Sequence, residues 1–406
     1  MTANQLGSAG TQSAMTGAKT EQPWHGLPTL VRWFISTRQW EARGLDLPLI
    51  DALRPAEQEA IRRYHFASDR RMSLASHLLK YLYIHRSCGV PWKQIVLSRT
   101  PKPEGRPYYA SKTEIRVDFN VSHQASFTIL AGVIVPSKEQ LARQSAAQGV
   151  VASPPRIGID ITCVSERRKP METMREYLNF ISAFDSVFSP QEMAIMQNPL
   201  STLRRARDLG LAEAFPLDDE ATLINFGFRL FYSHWALKEA YLKMTGDALL
   251  ADWLQELEFT NVIPPPMADR FAAQRPAGSD SGVDNCQNSS QQWGVPYTDI
   301  RIFKHGTEIH GVRLQLEAFE ADYILAIAGQ GCPVGPLSQL QLDDSLSHQK
   351  PATTTHATRI PINTRLALGQ SDPWNPECGI LDPWLPVQEV DIDLDVRACA
   401  EGRCSH

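Results

Sequence analysis

Two carboxylates in this 406-residue chain stand where a carboxylate needs a reason. Asp160 lies midway along Arg156-Ile-Gly-Ile-Asp-Ile-Thr162. That segment alternates cleanly: Ile157, Ile159 and Ile161 face one way, and Gly158, Asp160 and Thr162 face the other. Asp is disfavoured in strands, so an acid there wants a compensating cation, and Gly158 lets a ligand or another segment come close. Glu239 lies in Phe231-Tyr-Ser-His-Trp-Ala-Leu-Lys-Glu-Ala-Tyr-Leu-Lys-Met-Thr-Gly246, at the edge of an apolar stripe of Phe231, Trp235 and Leu242. Lys243 follows one turn on, and Lys238 occupies the opposite flank. A carboxylate beside an aromatic wall, with two ammonium groups around it, suits a metal ion and a polyphosphate. The same residues also describe a surface helix with a Glu-to-Lys pair worth a few tenths of a kcal/mol, and the helix alone favours that plainer reading. Ser122-His123-Gln124 falls in a bend between two apolar strands, where backbone N–H groups, a hydroxyl and an imidazole can hold an anion. A lone loop histidine is more often structural.

The elements that must position these groups can be read along the chain. Residues 1–23 are Ala, Gly, Ser, Thr and Gln with few apolar anchors and are expected to be disordered. Thr29–Ile35 predicts a first strand. Residues 51–85 predict helix, with an apolar stripe at Met72, Leu78, Leu79 and Leu82 from which Arg71 and Lys80 project. Val90–Thr100 predicts a turn and a short strand, and Gly105-Arg106-Pro107 a tight turn presenting one cation. Phe119–Gln124 ends one strand, and Phe127–Val135 forms the next. Residues 136–155 read as a polar linker ending in Pro154-Pro155. This divides the chain into a 24–150 lobe and a 151–332 lobe. In the second lobe, Ser189-Pro190-Gln191-Glu192 opens a helix, and Gly246 closes the one that carries Glu239. Residues 200–224 are expected to be an irregular insertion, and 263–292 a mobile loop. Strands are expected at Trp253–Thr260, Arg301–Phe303, Val312–Leu316 and Tyr323–Ala328. Residues 333–406 form a polar, Pro-rich extension, in which Val387–Val396 alternates as if to cover an apolar edge.

Composition narrows the class. The net charge of −5 marks no global field for nucleic acid or membrane. No apolar run approaches the roughly 20 residues needed to span a bilayer. The N-terminus has no secretory pattern. The seven cysteines show neither a Cys-x-x-Cys pair nor zinc spacing, which reads as reduced thiols in a cytoplasmic protein.

In order, Phe119-Asn-Val-Ser-His-Gln124, Gly158-Ile-Asp-Ile161 and Trp235-Ala-Leu-Lys-Glu-Ala-Tyr-Leu-Lys243 closely resemble the signature motifs of the Sfp-type 4′-phosphopantetheinyl transferases. Pro91-Trp92, Arg99-Thr100 and Gly105-Arg106-Pro107 add similarity to the eukaryotic members. The resemblance covers roughly residues 30–330 and implies an α+β fold, a two-lobed pseudo-dimer of similar α+β halves with the active site in the cleft. It implies transfer of the phosphopantetheine arm of coenzyme A to a serine of a carrier protein, with release of 3′,5′-ADP.

By motif position, the resemblance makes Asp160 and Glu239 ligands of Mg²⁺, and Glu239 also the base for the incoming serine. It places Lys243 on a phosphate and His123 on coenzyme A phosphate, with Ser122 and Lys238 in the same binding group. Arg71, Arg106 and Arg99 match basic positions near the nucleotide phosphates. Many bacterial members have a Glu where this chain has Thr162, so a third carboxylate ligand is missing. Gln124 is the candidate to fill that part of the shell, directly or through water. The long form and the eukaryote-like motifs imply apo carriers of fatty acid synthase, polyketide synthases, nonribosomal peptide synthetases and aminoadipate reductase as partners, with a monomer sufficient. The competing reading is a catalytically idle homologue that binds coenzyme A or carriers as a scaffold. Intact Asp160, Glu239, Lys243 and His123 argue against it. A generic nucleotide-binding protein lacks support, because neither glycine-rich phosphate loop is present.

Overall fold

A computed structural model describes residues 30–331 and 384–404, apart from 102–104, 112–114, 149–150, 167–170, 213–218, 248–250, 252 and 267–292. The segment 1–23, most of the loop expected at 263–292 and most of the extension after 333 therefore lie outside the described residues. No helix among the described residues is long and apolar enough to cross a membrane.

The strands Phe127–Val135 and Tyr323–Gln330 are buried along almost their whole length, on both faces. A strand buried on both faces belongs to a sheet covered twice, and the architecture follows from that. Strands β1 (Leu30–Ser36), β2 (Leu97–Arg99), β3 (Pro107–Tyr109), β4 (Arg116–Gln124), β5 (Phe127–Val135) and β6 (Arg156–Cys163) alternate with helices α1 (Arg38–Ala42), α2 (Pro55–Arg62), α3 (Ala67–Cys88) and α4 (Lys138–Gln148). Then come α5 (Met174–Ser182), α6 (Pro190–Gln197), α7 (Pro199–Asp208) and α8 (Glu220–Thr245), strands β7 (Leu257–Thr260), β8 (Arg301–Lys304), β9 (Thr307–Glu308), β10 (Val312–Phe319), β11 (Tyr323–Gln330) and β12 (Trp384–Glu389), and a last short helix α9 (Arg397–Ala400). The first large sheet runs β12-β1-β5-β4, and the second runs β10-β11-β6. Helix α3 lies on the outer face of the first sheet, over Trp33, Phe119 and Leu130. Helix α8 lies on the outer face of the second, over Leu316, Ile324 and Ala326. Between the sheets, Phe34, Phe127 and Ile129 meet Ile157, Ile159, Leu325 and Ile327. The α+β class is as the sequence implies, with helix, sheet, sheet and helix in layers.

Several local readings differ. The 136–155 linker contains helix α4. The stretch read as an irregular insertion at 200–224 contains α7 and the start of α8. Pro199 opens α7 at a position that has no N–H bond to lose, and Leu203 and Ala206 bury one face. Helix α8 begins at Asp219, whose side chain accepts from the Thr222 N–H at 2.9 Å, so it is longer than its apolar stripe shows. Gly246 ends it in the left-handed region at φ 86°. The strand expected at Val387–Val396 forms earlier, at Trp384–Glu389, and pairs in parallel with β1, covering that sheet edge.

Candidate active site

The site sits where the two large sheets meet. Strand β6 turns its N–H groups toward β4, and side chains of β4 accept them in a ladder. Ile157 N–H reaches Asp118 Oδ2 at 3.2 Å, Ile159 N–H reaches Asn120 Oδ1 at 3.1 Å, and Ile161 N–H reaches Ser122 Oγ at 3.3 Å. Asp118, Asn120 and Ser122 are every second residue of β4, so a polar face that would ordinarily meet water instead satisfies a strand edge. That period-two polar pattern is visible in the sequence, but its partner strand is not.

Ser122 continues the ladder into the chemistry. Its hydroxyl donates to Asp160 Oδ1 at 2.8 Å. Lys243 Nζ donates to the same Oδ1 at 2.6 Å and to Ser122 Oγ at 3.1 Å. The cation that a mid-strand Asp requires is therefore Lys243, from the last turn of α8. Asp160 is 6% exposed, and Gly158, Asp160 and Thr162 face α8 as the alternation predicts. Gly158 is what lets the helix come down. A Cβ there would lie 1.8 Å from the Ala240 carbonyl oxygen and 2.5 Å from the Met244 nitrogen. Glu239 lies one turn before Lys243 and is half-buried. Loss of hydration, then the Asp160 charge, pushes its carboxyl above the ordinary range, while Lys243 opposes. Two carboxylates, each offering hard oxygen donors, stand beside a single ammonium, and the carboxylate pair fits a Mg²⁺ ion.

His123 and Gln124 follow Ser122 at the end of β4, before a two-residue turn in which Ala125 (φ 45°) and Ser126 (φ 76°) are both left-handed. Their carbonyls are tied down, Ala125 O by Tyr323 Oη at 2.8 Å and Ser126 O by the Thr37 N–H at 2.8 Å. The turn beside His123 is thus fixed from both sheets. The His123 ring reaches solvent. Crowding by protein atoms, followed by the Lys243 and Lys80 charges, holds its pKa below the ordinary value. Gln124 is half-buried and shares the face of Ser122.

The other expected groups divide. Arg71 is on α3 and bridges to Glu41 at 3.0 Å. Arg99 is exposed and donates to the Gly105 carbonyl at 2.9 Å. Arg106, expected beside nucleotide phosphates, serves instead as a clamp. It donates to Asp118, to the carbonyls of Phe119 and Ile157, and at 2.8 Å to the carbonyl of Lys243. It thereby binds the end of α8 to β4 and β6. Lys238 is not brought to the site at all. It is 1% exposed, bridges to Glu192 at 2.9 Å and donates to the carbonyls of Leu254 and Leu257. Adjacent helix positions differ by about 100°, so Lys238 and Glu239 serve different faces. The aromatic wall is likewise core, since Phe231 and Trp235 pack with Phe184 and Phe188.

Two further basic groups stand near, Lys80, which the sequence shows only as projecting from the stripe of this helix, and His77, which it does not single out. Lys80 is 4% exposed, and burial lowers its ammonium to about 8, with Arg99 acting the same way and Glu57 opposing. His77 lies on the same side of α3, its Nδ1 2.8 Å from the Ser73 carbonyl, and burial followed by the Lys80 charge lowers it to about 3. Ser73, His77 and Lys80 recur at helical spacing in the middle of a largely buried helix, a polar stripe visible in the sequence.

Comparison with known proteins gives one family. Residues 33–135 match the family model described as 4′-phosphopantetheinyl transferase, N-terminal, and residues 156–275 match that of the 4′-phosphopantetheinyl transferase superfamily. The chain is 37% identical to 4′-phosphopantetheinyl transferase A of Aspergillus fumigatus over 400 residues, covering 93% of this chain and 96% of the relative. It is 36% identical to 4′-phosphopantetheinyl transferase NpgA of Emericella nidulans over 396 residues, with the same shares. It is 29% identical to the L-aminoadipate-semialdehyde dehydrogenase-phosphopantetheinyl transferase of Rattus norvegicus over 233 residues, 56% of this chain and 60% of the relative.

Proposed function

Since this chain belongs to the 4′-phosphopantetheinyl transferases, enzymes that move the phosphopantetheine arm of coenzyme A onto carrier proteins, we propose that Asp160, Glu239, Lys243 and His123 carry that chemistry here. The observation that supports this most is the junction itself. Asp160 from β6, Ser122 from β4 and Lys243 from α8 are joined by three hydrogen bonds, with Glu239 one turn away.

The carrier serine attacks the phosphorus that bears the pantetheine arm. A serine oxygen–phosphorus bond forms, the diphosphate bridge breaks, and 3′,5′-ADP leaves with the bridging oxygen. The serine proton goes to Glu239, whose raised pKa makes it a stronger base than an ordinary carboxylate. Asp160 and Glu239 are the residues that would hold Mg²⁺, which neutralises charge on the diphosphate when bound. Gln124 fills part of that shell from the β4 side, directly or through water. Lys243 orients Asp160 and offers its remaining donor to a phosphate. His123 supplies a donor and Arg99 a positive charge at the rim for the other phosphates, Lys80 adds charge from the buried side, and Arg71 extends this group along α3. Ser122 and Arg106 position the others.

The carriers we assign are those of fatty acid synthase, polyketide synthases, nonribosomal peptide synthetases and aminoadipate reductase. The last accords with the name of the rat relative. One chain holds every group named, so a monomer suffices. Buried free thiols at Cys88, Cys163 and Cys399 accord with a cytoplasmic enzyme. The test compares the protein with Glu239→Gln, each incubated with Mg²⁺, coenzyme A and an apo carrier, reading the carrier by intact mass. Glu239→Gln is expected to melt like the parent and to transfer on the order of 10²–10⁴-fold more slowly. Parent-like turnover at saturating Mg²⁺ would remove Glu239 from the role.

A further inference from the structure

Away from that site, three metal-binding side chains meet at the far end of α3. The imidazole of His85 and the thiols of Cys399 and Cys404 place their donor atoms within 4.8 Å of one another. His85 Nε2 is 3.1 Å from Cys404 Sγ, between residues 319 apart in sequence. His85 Nδ1 is 2.7 Å from the Val90 carbonyl oxygen. A carbonyl only accepts, so Nδ1 carries the proton and Nε2 presents its lone pair to the sulfurs. A carbonyl behind the ring is a common way of orienting a metal-ligating histidine. His85 and Cys399 are buried, while Cys404 is half-buried and opens the cluster to solvent.

Arg86 lies beside the cluster. Its Nη2 donates to the Asp395 carbonyl at 2.8 Å, and its guanidinium also interacts with the Cys399 thiol. Burial pushes the Cys399 thiol up to about 11, and the neighbouring Arg86 guanidinium pulls it the other way. The sequence could not show this site. Cys399 and Cys404 straddle the end of α9 with four residues between them, and the third ligand comes from another half of the chain.

We propose that His85, Cys399 and Cys404 bind a zinc-class divalent ion, with solvent as the fourth ligand, and that this ion fastens the C-terminal segment to α3. Two thiolates and one imidazole are a ligand set of Zn²⁺. Bonds of about 2.3 Å to sulfur and about 2.0–2.1 Å to nitrogen, at tetrahedral angles, separate ligand atoms by about 3.5–3.8 Å. The cluster already lies near that spacing. Each thiol loses its proton to solvent when the ion binds, and nothing is oxidised or reduced. Affinity therefore rises with pH as the thiols ionise.

The experiment uses the full chain, purified under reducing conditions, stripped with EDTA and titrated with Zn²⁺ and separately with Co²⁺. The expected results are one equivalent of zinc retained after desalting, a cobalt–thiolate charge-transfer band and a higher Tm with metal. All three are expected to be lost in Cys404→Ser, a half-buried position that tolerates the change, and retained in Cys163→Ser. A second variant, His85→Gln, should lose the metal-dependent rise in Tm. Equal zinc content in Cys404→Ser, or absence of both retained zinc and the cobalt band in the folded parent, overturns the proposal. So does a Cys399–Cys404 disulfide in the reduced preparation, shown by peptide mapping.

Discussion

Glu239 has the property that bears most directly on the chemistry, a pKa raised first by burial and then by Asp160. A raised pKa means Glu239 takes up a proton at higher pH than an ordinary carboxylate, near 4.3. Protonated, it neither accepts the serine proton nor holds a cation. The Mg²⁺ concentration giving half-maximal rate is therefore expected to climb as pH falls, starting at a higher pH than an ordinary carboxylate would set, with coenzyme A saturating. Metal titrations at several pH values down to the ordinary carboxylate range check this, and a requirement that stays flat throughout would mean Glu239 is not a ligand. Asp160, Lys243 and Glu239 were legible because each breaks a pattern, an acid in an alternating strand or a charge at a stripe's edge. Lys238 and Arg106 were not legible. The groups that hold them, Glu192 for one and Asp118 with three carbonyls for the other, are neighbours only after folding.

At the scale of elements, the site depends on how closely α8 crosses β6. That distance is set by one hydrogen atom at Gly158, because a Cβ would meet the backbone of Ala240 and Met244. Gly158→Ala must push the helix away and separate Lys243 and Glu239 from Asp160. Overpacking of this kind costs about 1–3 kcal/mol, and contact with backbone gives it little room to relax. A lower Tm is expected together with a fall in transfer rate at saturating coenzyme A. A variant that melts and turns over like the parent would show that the close crossing is dispensable. The sequence marked Gly158 as a close approach but not the partner. The alternation of β6 and the end of α8 were read correctly because local pattern fixes them. Helix α7 was missed because its charged face, Arg204, Arg205 and Arg207, outweighed its narrow apolar side.

The whole molecule is closed by a strand from near the end of the chain. Truncation near Pro336 would remove more than the polar, Pro-rich extension that the sequence shows there. Trp384 is 2% exposed, with the Arg313 guanidinium 4.1 Å above its ring. Arg32 donates to the Leu385 carbonyl at 2.6 Å and to Glu317 at 2.9 Å, so one buried cation links β1, β10 and β12. Losing the tryptophan costs about 3–5 kcal/mol, and each orphaned buried donor about 1–3 kcal/mol, against a typical stability of about 5–15 kcal/mol. Removal of residues 384–406 is expected to abolish cooperative melting, as followed by circular dichroism. A truncated chain with an unchanged Tm would show that β12 is an accessory. No local pattern could announce that a strand after a long polar stretch returns to the first strand. The arrangement leaves the β4–β5 turn and the end of α8 on either side of one seam, and the central claim is that coenzyme A binds there. A crystal structure with coenzyme A and Mg²⁺ tests it most directly. The diphosphate is expected beside His123 and Lys243, with the ion held by Asp160 and Glu239 and Thr162 not bound to it. A diphosphate elsewhere, Asp160 turned away from the ion, or Thr162 ligating it would contradict the account.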